Sequence, residues 1–142
     1  MKKIFIRALA PALSLWLALT IMPISKASAQ DEAFLDKLQH DSILYFAEEA
    51  NVGNGLVKDS SRPGAPCSVA SVGFSLTAIC IGESRGWIDR DKAYERVIRT
   101  LKTFRDDVPS EHGFLYHFLD MRTGSRTWNS ELSSIDTALF MA

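Results

Sequence analysis

Residues 68–107 read SVASVGFSLTAICIGESRGWIDRDKAYERVIRTLKTFRDD. Ser68 is the predicted N-cap of a helix that runs to about Arg85, and Gly86 is the residue expected just past its end. This helix is apolar nearly all round, so we expect it to be buried. Asp89 then caps the next helix, which runs to about Asp107 and is apolar on one face only. A buried helix followed by an amphipathic helix predicts an inner and an outer layer of helices.

The segments before this pair predict another helix and a long connection. Residues 30–50 have helical periodicity, and the residues expected on the core side are Phe34, Leu35, Leu38, Tyr45 and Phe46. Residues 51–67 hold three glycines and two prolines, which exclude regular structure. Loops of this length are often functional.

The segments after the pair predict a small hairpin and a fourth helix. We expect residues 114–119 to form a strand, residues 121–126 a turn, and Thr127 and Trp128 the returning strand. Ser133 and Asp136 have the spacing of a capping box at a helix start. Residues 139–142 end the chain in an apolar run without a cap, so we expect the front of a longer protein. The predicted class is all-α, with about four helices and a small β-hairpin insertion.

The first 29 residues have the pattern of a cleavable signal peptide. Lys2, Lys3 and Arg7 form a basic start, residues 8–24 are mostly apolar, and residues 27–29 read Ala-Ser-Ala. We expect cleavage after Ala29, with residues 30–142 as the mature domain. An uncleaved anchor is disfavoured because the apolar run is short and holds two prolines. The predicted location is periplasmic or extracellular, with no stable membrane anchor after cleavage.

Charge and cysteine content exclude several classes of function. Loss of the signal segment removes four of the 16 basic residues and leaves 12 against 17 acidic ones, which argues against a nucleic-acid partner. Helical residues between Cys67 and Cys80 would hold them about 20 Å apart, so we expect two buried free thiols. Neither has another Cys or His at ligand spacing, and we expect no metal and no cofactor.

Carboxylates, aromatic rings and amides are concentrated between Tyr116 and Asp136, as in many sites that bind and cleave sugars. Glu131 has no evident helical role and is the first catalytic candidate. Asp136 is the second, although it is equally well explained as a capping acid. The candidate substrate-binding residues are Asp59, Tyr116, His117, Asp120, Arg126 and Trp128.

Structural roles remain open for most of these binding candidates. Asp120 before a turn is typical of an Asx turn, and Trp128 would also serve to cover the hairpin. His117 between two aromatic residues is typical of a packed or hydrogen-bonding histidine. Asp59 with Arg62 would form a solvated pair, although such loops also reach over clefts.

Two motifs, YHFLD at 116–120 and WNSELSSIDTAL at 128–139, resemble the bacterial glucoamylase-like domain family. Residues 54–57, 68–78 and 86–88 add to the resemblance. It implies an (α/α)6 toroid in which inner and outer helices alternate around a sugar-binding cleft, and the family includes secreted or periplasmic endo-β-1,2-glucanases. It also implies that Glu131 and Asp136 face that cleft, without assigning proton donor and base. Four helices would form only part of such a toroid.

The leading hypothesis is therefore a secreted glycoside hydrolase that cleaves a glucan, with β-1,2-glucan favoured, by carboxylate acid/base catalysis. Its partner is an oligo- or polysaccharide, and inversion is the favoured outcome. We expect residues 30–142 by themselves to be inactive, because the remainder of the domain would be missing and inner-helix surface uncovered. The alternatives are a non-catalytic periplasmic sugar-binding α-toroid and a small helical interaction module.

Overall fold

A computed structural model describes residues 28–142, and residues 1–27 of the predicted signal segment at 1–29 lie outside them. The helices in this range are α1 (Ala29–Glu48), α2 (Val69–Ser84), α3 (Arg90–Asp106) and α4 (Ser134–Met141). All four predicted helices are therefore confirmed, with ends within a few residues of the expected ones. None of the helices described here is both long and apolar enough to cross a membrane.

The chain divides into two units, residues 1–34 and residues 35–142. In the described part of the first unit, Ser28 caps the start of α1. Its hydroxyl accepts a hydrogen bond from the Asp31 N–H at 3.1 Å, and Asp31 accepts from both the hydroxyl and the N–H of Ser28. These bonds lower the pKa of the Asp31 carboxyl. Phe34, predicted to face the core, is exposed.

Within the second unit, only the last turns of α1 reach the core. Leu35 and Leu38 are exposed, whereas Ile43 is buried and Tyr45 and Phe46 pack against the central cluster. The prediction of a core face along the whole helix is therefore wrong for its first half. The apolar residues recur at helical spacing there, but no described element of this unit covers them.

The face of α2 that carries Val69, Val72 and Ile79 is buried against the core. A Cβ at Gly73 would lie 2.3 Å from the Leu139 carbonyl oxygen, so this glycine allows α2 and α4 to pack closely. The prediction that α2 is buried all round is wrong, because Phe74, Thr77 and Cys80 are exposed. Hydropathy identified an apolar helix but not which side of it has a neighbour.

α3 is amphipathic, as predicted, with Ala93, Thr100 and Phe104 buried. Asp89 caps it by accepting a hydrogen bond from the Lys92 N–H at 3.2 Å. Gly86 has φ of 72°, a left-handed conformation that a glycine adopts without the strain of a side chain. Both predicted boundary signals are therefore confirmed.

The predicted single hairpin is wrong in its strand pairing. The strands are β1 (Cys67–Ser68), β2 (Ser110–Glu111), β3 (Phe114–Tyr116), β4 (Phe118–Leu119) and β5 (Leu132–Ser133). All pairs are antiparallel: β1 pairs with β4, and β3 lies between β2 and β5. In place of the predicted returning strand at Thr127 and Trp128, the structure has a single bridge between Leu119 and Arg126. The chain changes sheet at His117, so the alternating run is two strands rather than one.

The core joins the long loop to the helices and strands. Its fully buried members are Leu56, Val57, Cys67, Val69 and Leu119. Burial raises the pKa of the Cys67 thiol to about 12. Cys80 is also a free thiol, but it is exposed, so the prediction that both cysteines are buried is wrong for Cys80.

Candidate functional site

His117 lies between the two acids that the sequence singled out. Its Nδ1 is 2.9 Å from Glu131 Oε1, and its Nε2 is 3.8 Å from Asp136 Oδ1. The backbone fixes this arrangement, because the His117 N–H donates to the Glu131 carbonyl and the His117 carbonyl accepts from the Val69 N–H. The change of sheet at His117 therefore brings a histidine and two carboxylates together.

Glu131 is the solvent-facing carboxylate of this group, and its side chain is 68% exposed. A hydrogen bond from its own backbone N–H, and next the contact with the His117 imidazole, lower the pKa of the Glu131 carboxyl. The ionised form is thus favoured. An ionised, exposed carboxylate can accept a proton from water or a hydrogen bond from a sugar hydroxyl.

Asp136 is buried in the first turn of α4, where it has a structural role. Its N–H donates to the Ser133 hydroxyl at 3.1 Å, and that hydroxyl donates to Asp136 Oδ2. The predicted capping arrangement is therefore confirmed. The Ala70 N–H also donates to Asp136 Oδ1, at 3.3 Å. This carboxylate joins the N-terminal ends of α2 and α4 while one of its oxygens still faces His117.

A row of aromatic rings leads away from the acids. The rings of His117 and Phe118 are stacked with centroids 3.7 Å apart, and Phe118 lies 5.3 Å from Trp128. Trp128 is 69% exposed and borders a pocket of about 240 Å³. Gly64, Ala65 and Pro66 of the long loop also line this pocket. Exposed aromatic faces of this kind bind the apolar faces of pyranose rings.

Asp120 also lines this pocket, but its carboxylate organises a turn. Its Oδ1 accepts hydrogen bonds from the N–H groups of Arg122 and Thr123, at 3.0 and 2.8 Å, and from the Thr123 hydroxyl at 2.9 Å. The bonds from Thr123, followed by that from Arg122, lower the pKa of the Asp120 carboxyl. These contacts are those of the Asx turn that the sequence offered as the structural role of Asp120.

Arg126 and Tyr116, two of the predicted binding residues, contact each other. The Arg126 guanidinium donates to the Asn129 and Ser130 carbonyls and lies 4.4 Å from the centroid of the Tyr116 ring. Tyr116 is buried and donates its hydroxyl to Glu111, which raises the pKa of the Tyr116 phenol. The Arg126 guanidinium and the Tyr116 hydroxyl therefore both form hydrogen bonds within the protein.

Asp59 is not among the contacts of the acid group. It is exposed in the long loop, where its N–H donates to the Pro66 carbonyl at 2.8 Å. Burial raises the pKa of Tyr45 and of Cys67, and the charge of Asp59 adds to both shifts. Across residues 28–142, no group of three or more His, Cys, Asp or Glu side chains is arranged to hold a metal ion.

Sequence reasoning missed the hydroxyl groups that assemble this region. The Ser130 hydroxyl lies 3.2 Å from both the N–H and the carbonyl oxygen of Phe118, and the Thr137 hydroxyl accepts from the Leu115 N–H at 2.9 Å. Phe118, the middle ring of the row, was missed as well. The serine and threonine residues within the 128–139 motif could have indicated these hydroxyl contacts.

Sequence and fold comparisons relate this chain to carbohydrate-active proteins. It is 32% identical over 96 residues to an exo β-1,2-glucooligosaccharide sophorohydrolase (non-reducing end) from Parabacteroides distasonis, a match of 66% of this chain and 13% of the relative. A solved glucoamylase-like structure from Bacteroides caccae is 25% identical, with a TM-score of 0.67 over 78% of this chain and 29% of that one. The resemblance to glucoamylase-like proteins is confirmed.

An endo-β-1,2-glucanase from Chitinophaga pinensis, solved with sophorotriose and glucose, shares the fold. It is 21% identical, with a TM-score of 0.68 over 81% of this chain and 30% of its own. The chain thus spans less than a third of each of these glucoamylase-like structures. No family model matches it.

Proposed function

We propose that this chain provides part of the catalytic cleft of a glycoside hydrolase that cleaves β-1,2-linked glucooligosaccharides. The observation that carries the proposal is the contact between Glu131 and His117 at 2.9 Å, beside an aromatic row that ends in the exposed ring of Trp128. It supports the proposal because an ionised carboxylate beside an aromatic surface is suited to act on a sugar ring. The sophorohydrolase similarity supports a β-1,2-linked substrate.

Glu131 is the proposed base because its lowered pKa favours the ionised form. In an inverting reaction it would take a proton from water as that oxygen bonds to the anomeric carbon and the glycosidic C–O bond breaks. The leaving oxygen takes its proton from a second carboxylic acid, which we propose is supplied by the rest of the domain, since this chain spans less than a third of the related structures. Asp136 is the other acid in contact with His117, but Ser133 and Ala70 engage its oxygens. We therefore assign Asp136 to holding the cleft and His117 to orienting Glu131.

Trp128 and Phe118 are the proposed docking surface for a glucosyl ring. A ring stacked on Trp128 would share its pocket with Pro66, Asp120 and Arg122, which also line it. Carboxylate and guanidinium groups in such a pocket are suited to bind sugar hydroxyls. We also propose that α1 to α4 are alternating helices of a partial (α/α)6 toroid, and that the protein acts in the periplasm or outside the cell.

The test compares wild type with Glu131→Gln, both expressed from the complete reading frame. Reducing-end release is measured from linear β-1,2-glucan and from sophorotriose. Removal of a general base typically lowers kcat by about 10²- to 10⁴-fold, and substrate binding should be retained. Glu95→Gln is the matched control because Glu95 is exposed on α3 and should leave kcat unchanged. Equal rates for wild type and Glu131→Gln would refute Glu131 as the base.

The second candidate is a sugar-binding protein without catalysis. It is favoured by the engagement of Asp136 in helix capping, which leaves Glu131 as the exposed acid of the group. Under this hypothesis both carboxylates would serve only to bind and order hydroxyls. Saturable binding of sophorotriose by wild type, with no product from it or from β-1,2-glucan, would favour this candidate over the hydrolase.

A further inference from the structure

The loop that carries Trp128 has an unfavourable backbone conformation. Trp128 and the next residue, Asn129, have φ of 55° and 54°. Asn is among the residues that tolerate this left-handed region, whereas a bulky aromatic residue is uncommon there. Such a conformation persists only where the surrounding structure holds it. The loop between Arg126 and Glu131 must therefore contain contacts that offset this cost.

The two ends of the loop are held by backbone contacts. At one end the Thr127 N–H donates to the Phe118 carbonyl at 3.0 Å. At the other end the His117 N–H donates to the Glu131 carbonyl, also at 3.0 Å. A turn bond from the Ser130 N–H to the Thr127 carbonyl, at 3.1 Å, closes the segment between them.

The Arg126 guanidinium holds the middle of the loop. Its Nε donates to the Ser130 carbonyl at 2.6 Å, and its Nη2 donates to the Asn129 carbonyl at 2.9 Å. These carbonyls belong to two consecutive residues, so the planar fork of donors holds the peptide units on both sides of Ser130. The ring of Tyr116 beneath the guanidinium is itself held, because Tyr116 is buried and bonded to Glu111.

We infer that Arg126 is a positioning residue, which clamps the left-handed Trp128–Asn129 pair so that Trp128 faces solvent and Glu131 meets His117. In this role Nε and Nη2 donate to backbone carbonyls rather than to a saccharide. The consequence for sugar binding rests on the proposed function. The clamp itself does not.

The test separates the loop conformation from sugar binding. Wild type, Arg126→Ala and Arg126→Lys are expressed from the complete reading frame with 13C- and 15N-labelled tryptophan, and Trp87→Phe helps to distinguish the Trp128 signal. Lysine retains the charge but cannot reproduce the fork, so both variants should lose the backbone shifts typical of positive φ at Trp128. Sophorotriose should bind about tenfold more weakly, the equivalent of about 1.4 kcal/mol. Added methylguanidinium should restore part of the wild-type signal in Arg126→Ala.

Arg85→Ala is the matched control. Arg85 donates to Gln39 and lies over the Trp87 ring at 5.2 Å, so its loss should alter the Trp87 signal and leave that of Trp128 unchanged. If Arg126→Ala does not fold, Arg126→Lys decides the outcome. Unchanged Trp128 shifts in the folded variants would overturn the inference, even if binding weakens, since Arg126 would then contact the sugar directly. Altered shifts support the clamp even if wild type binds no sugar, a result that would refute only the proposed function.

Discussion

Replacement of Asp136 by alanine should destabilise the protein far more than an ordinary capping mutation. The carboxylate is buried and accepts hydrogen bonds from the Ser133 hydroxyl and the Ala70 N–H. Asp136→Ala removes both bonds, and the Ala70 N–H at the start of α2 then loses its partner. Asp136→Asn retains an oxygen acceptor and the shape of the side chain but removes the negative charge.

The expected loss follows from these contacts. Hydrogen bonds to charged groups contribute about 1.5 to 3 kcal/mol, and a negative charge in the first turn of a helix adds about 0.3 to 1 kcal/mol. Because the bonds share one carboxylate, we expect Asp136→Ala to cost about 2 to 4 kcal/mol in the free energy of unfolding. Asp136→Asn should cost about half as much. Urea denaturation followed by far-ultraviolet circular dichroism measures both changes.

Asp89 provides the control, since it is exposed and caps α3 through the Lys92 N–H alone. Asp89→Ala should cost about 1 kcal/mol, as is usual for an N-cap. If Asp136→Ala costs no more than Asp89→Ala, then Asp136 does not hold α2 and α4 together. Its assignment as a structural acid would then be refuted, and Asp136 would return as a candidate for the chemistry itself.

Three further predictions concern other parts of the second unit. The pKa of Glu131 is lowered on folding, so its ionised form stabilises the folded state above the ordinary value of 4.5 and this effect is lost as pH falls through the lower folded value. Unfolding midpoints of Glu131→Gln, measured at several pH values, should therefore fall less steeply in acid than those of wild type. Gly73→Ala should cost about 1 to 3 kcal/mol in urea denaturation through overpacking against α4, compared with about 1 kcal/mol for Gly64→Ala, where only the left-handed backbone matters. A thiol reagent should modify Cys80 in the native protein and Cys67 only after unfolding, because Cys67 is buried and has a pKa of about 12.

The helices could be predicted from sequence because their signals are local. Asp89 and Gly86 mark boundaries through the geometry of a single turn, and the structure has them where they were expected. The pairing of Cys67 and Ser68 with Leu119 and Phe118 could not be predicted in this way. Strands of two residues carry almost no periodicity, so their partners are decided by packing between distant segments.

The candidate site shows the same division between local and distant information. The 128–139 motif was sufficient to select Glu131 and the capping pair Ser133 and Asp136. The contact of Glu131 with His117 depends on a backbone bond across 14 residues, and the stacking of Phe118 depends on the change of sheet. Arg126 was predicted to bind substrate from its place in the cluster between Tyr116 and Asp136. Its bonds to consecutive carbonyls became visible only in the folded loop.

The close packing of α2 and α4 has a chemical consequence for the acids. Gly73 lets the two helices approach, and Asp136 lies in the first turn of α4 with the Ala70 N–H of α2 within reach. The N–H groups at a helix N-terminus carry partial positive charge, and the Asp136 carboxylate accepts a hydrogen bond from one of them, the Ala70 N–H. The Glu131 carboxylate has its own backbone N–H and the His117 imidazole as neighbours, and both favour its ionised form.

A proton donor needs the opposite environment, one that raises its pKa by burial or by a neighbouring negative charge. The arrangement around His117 is therefore suited to accept a proton, and removing the imidazole with His117→Ala should raise the pKa of Glu131 toward 4.5, which carboxyl NMR shifts would measure.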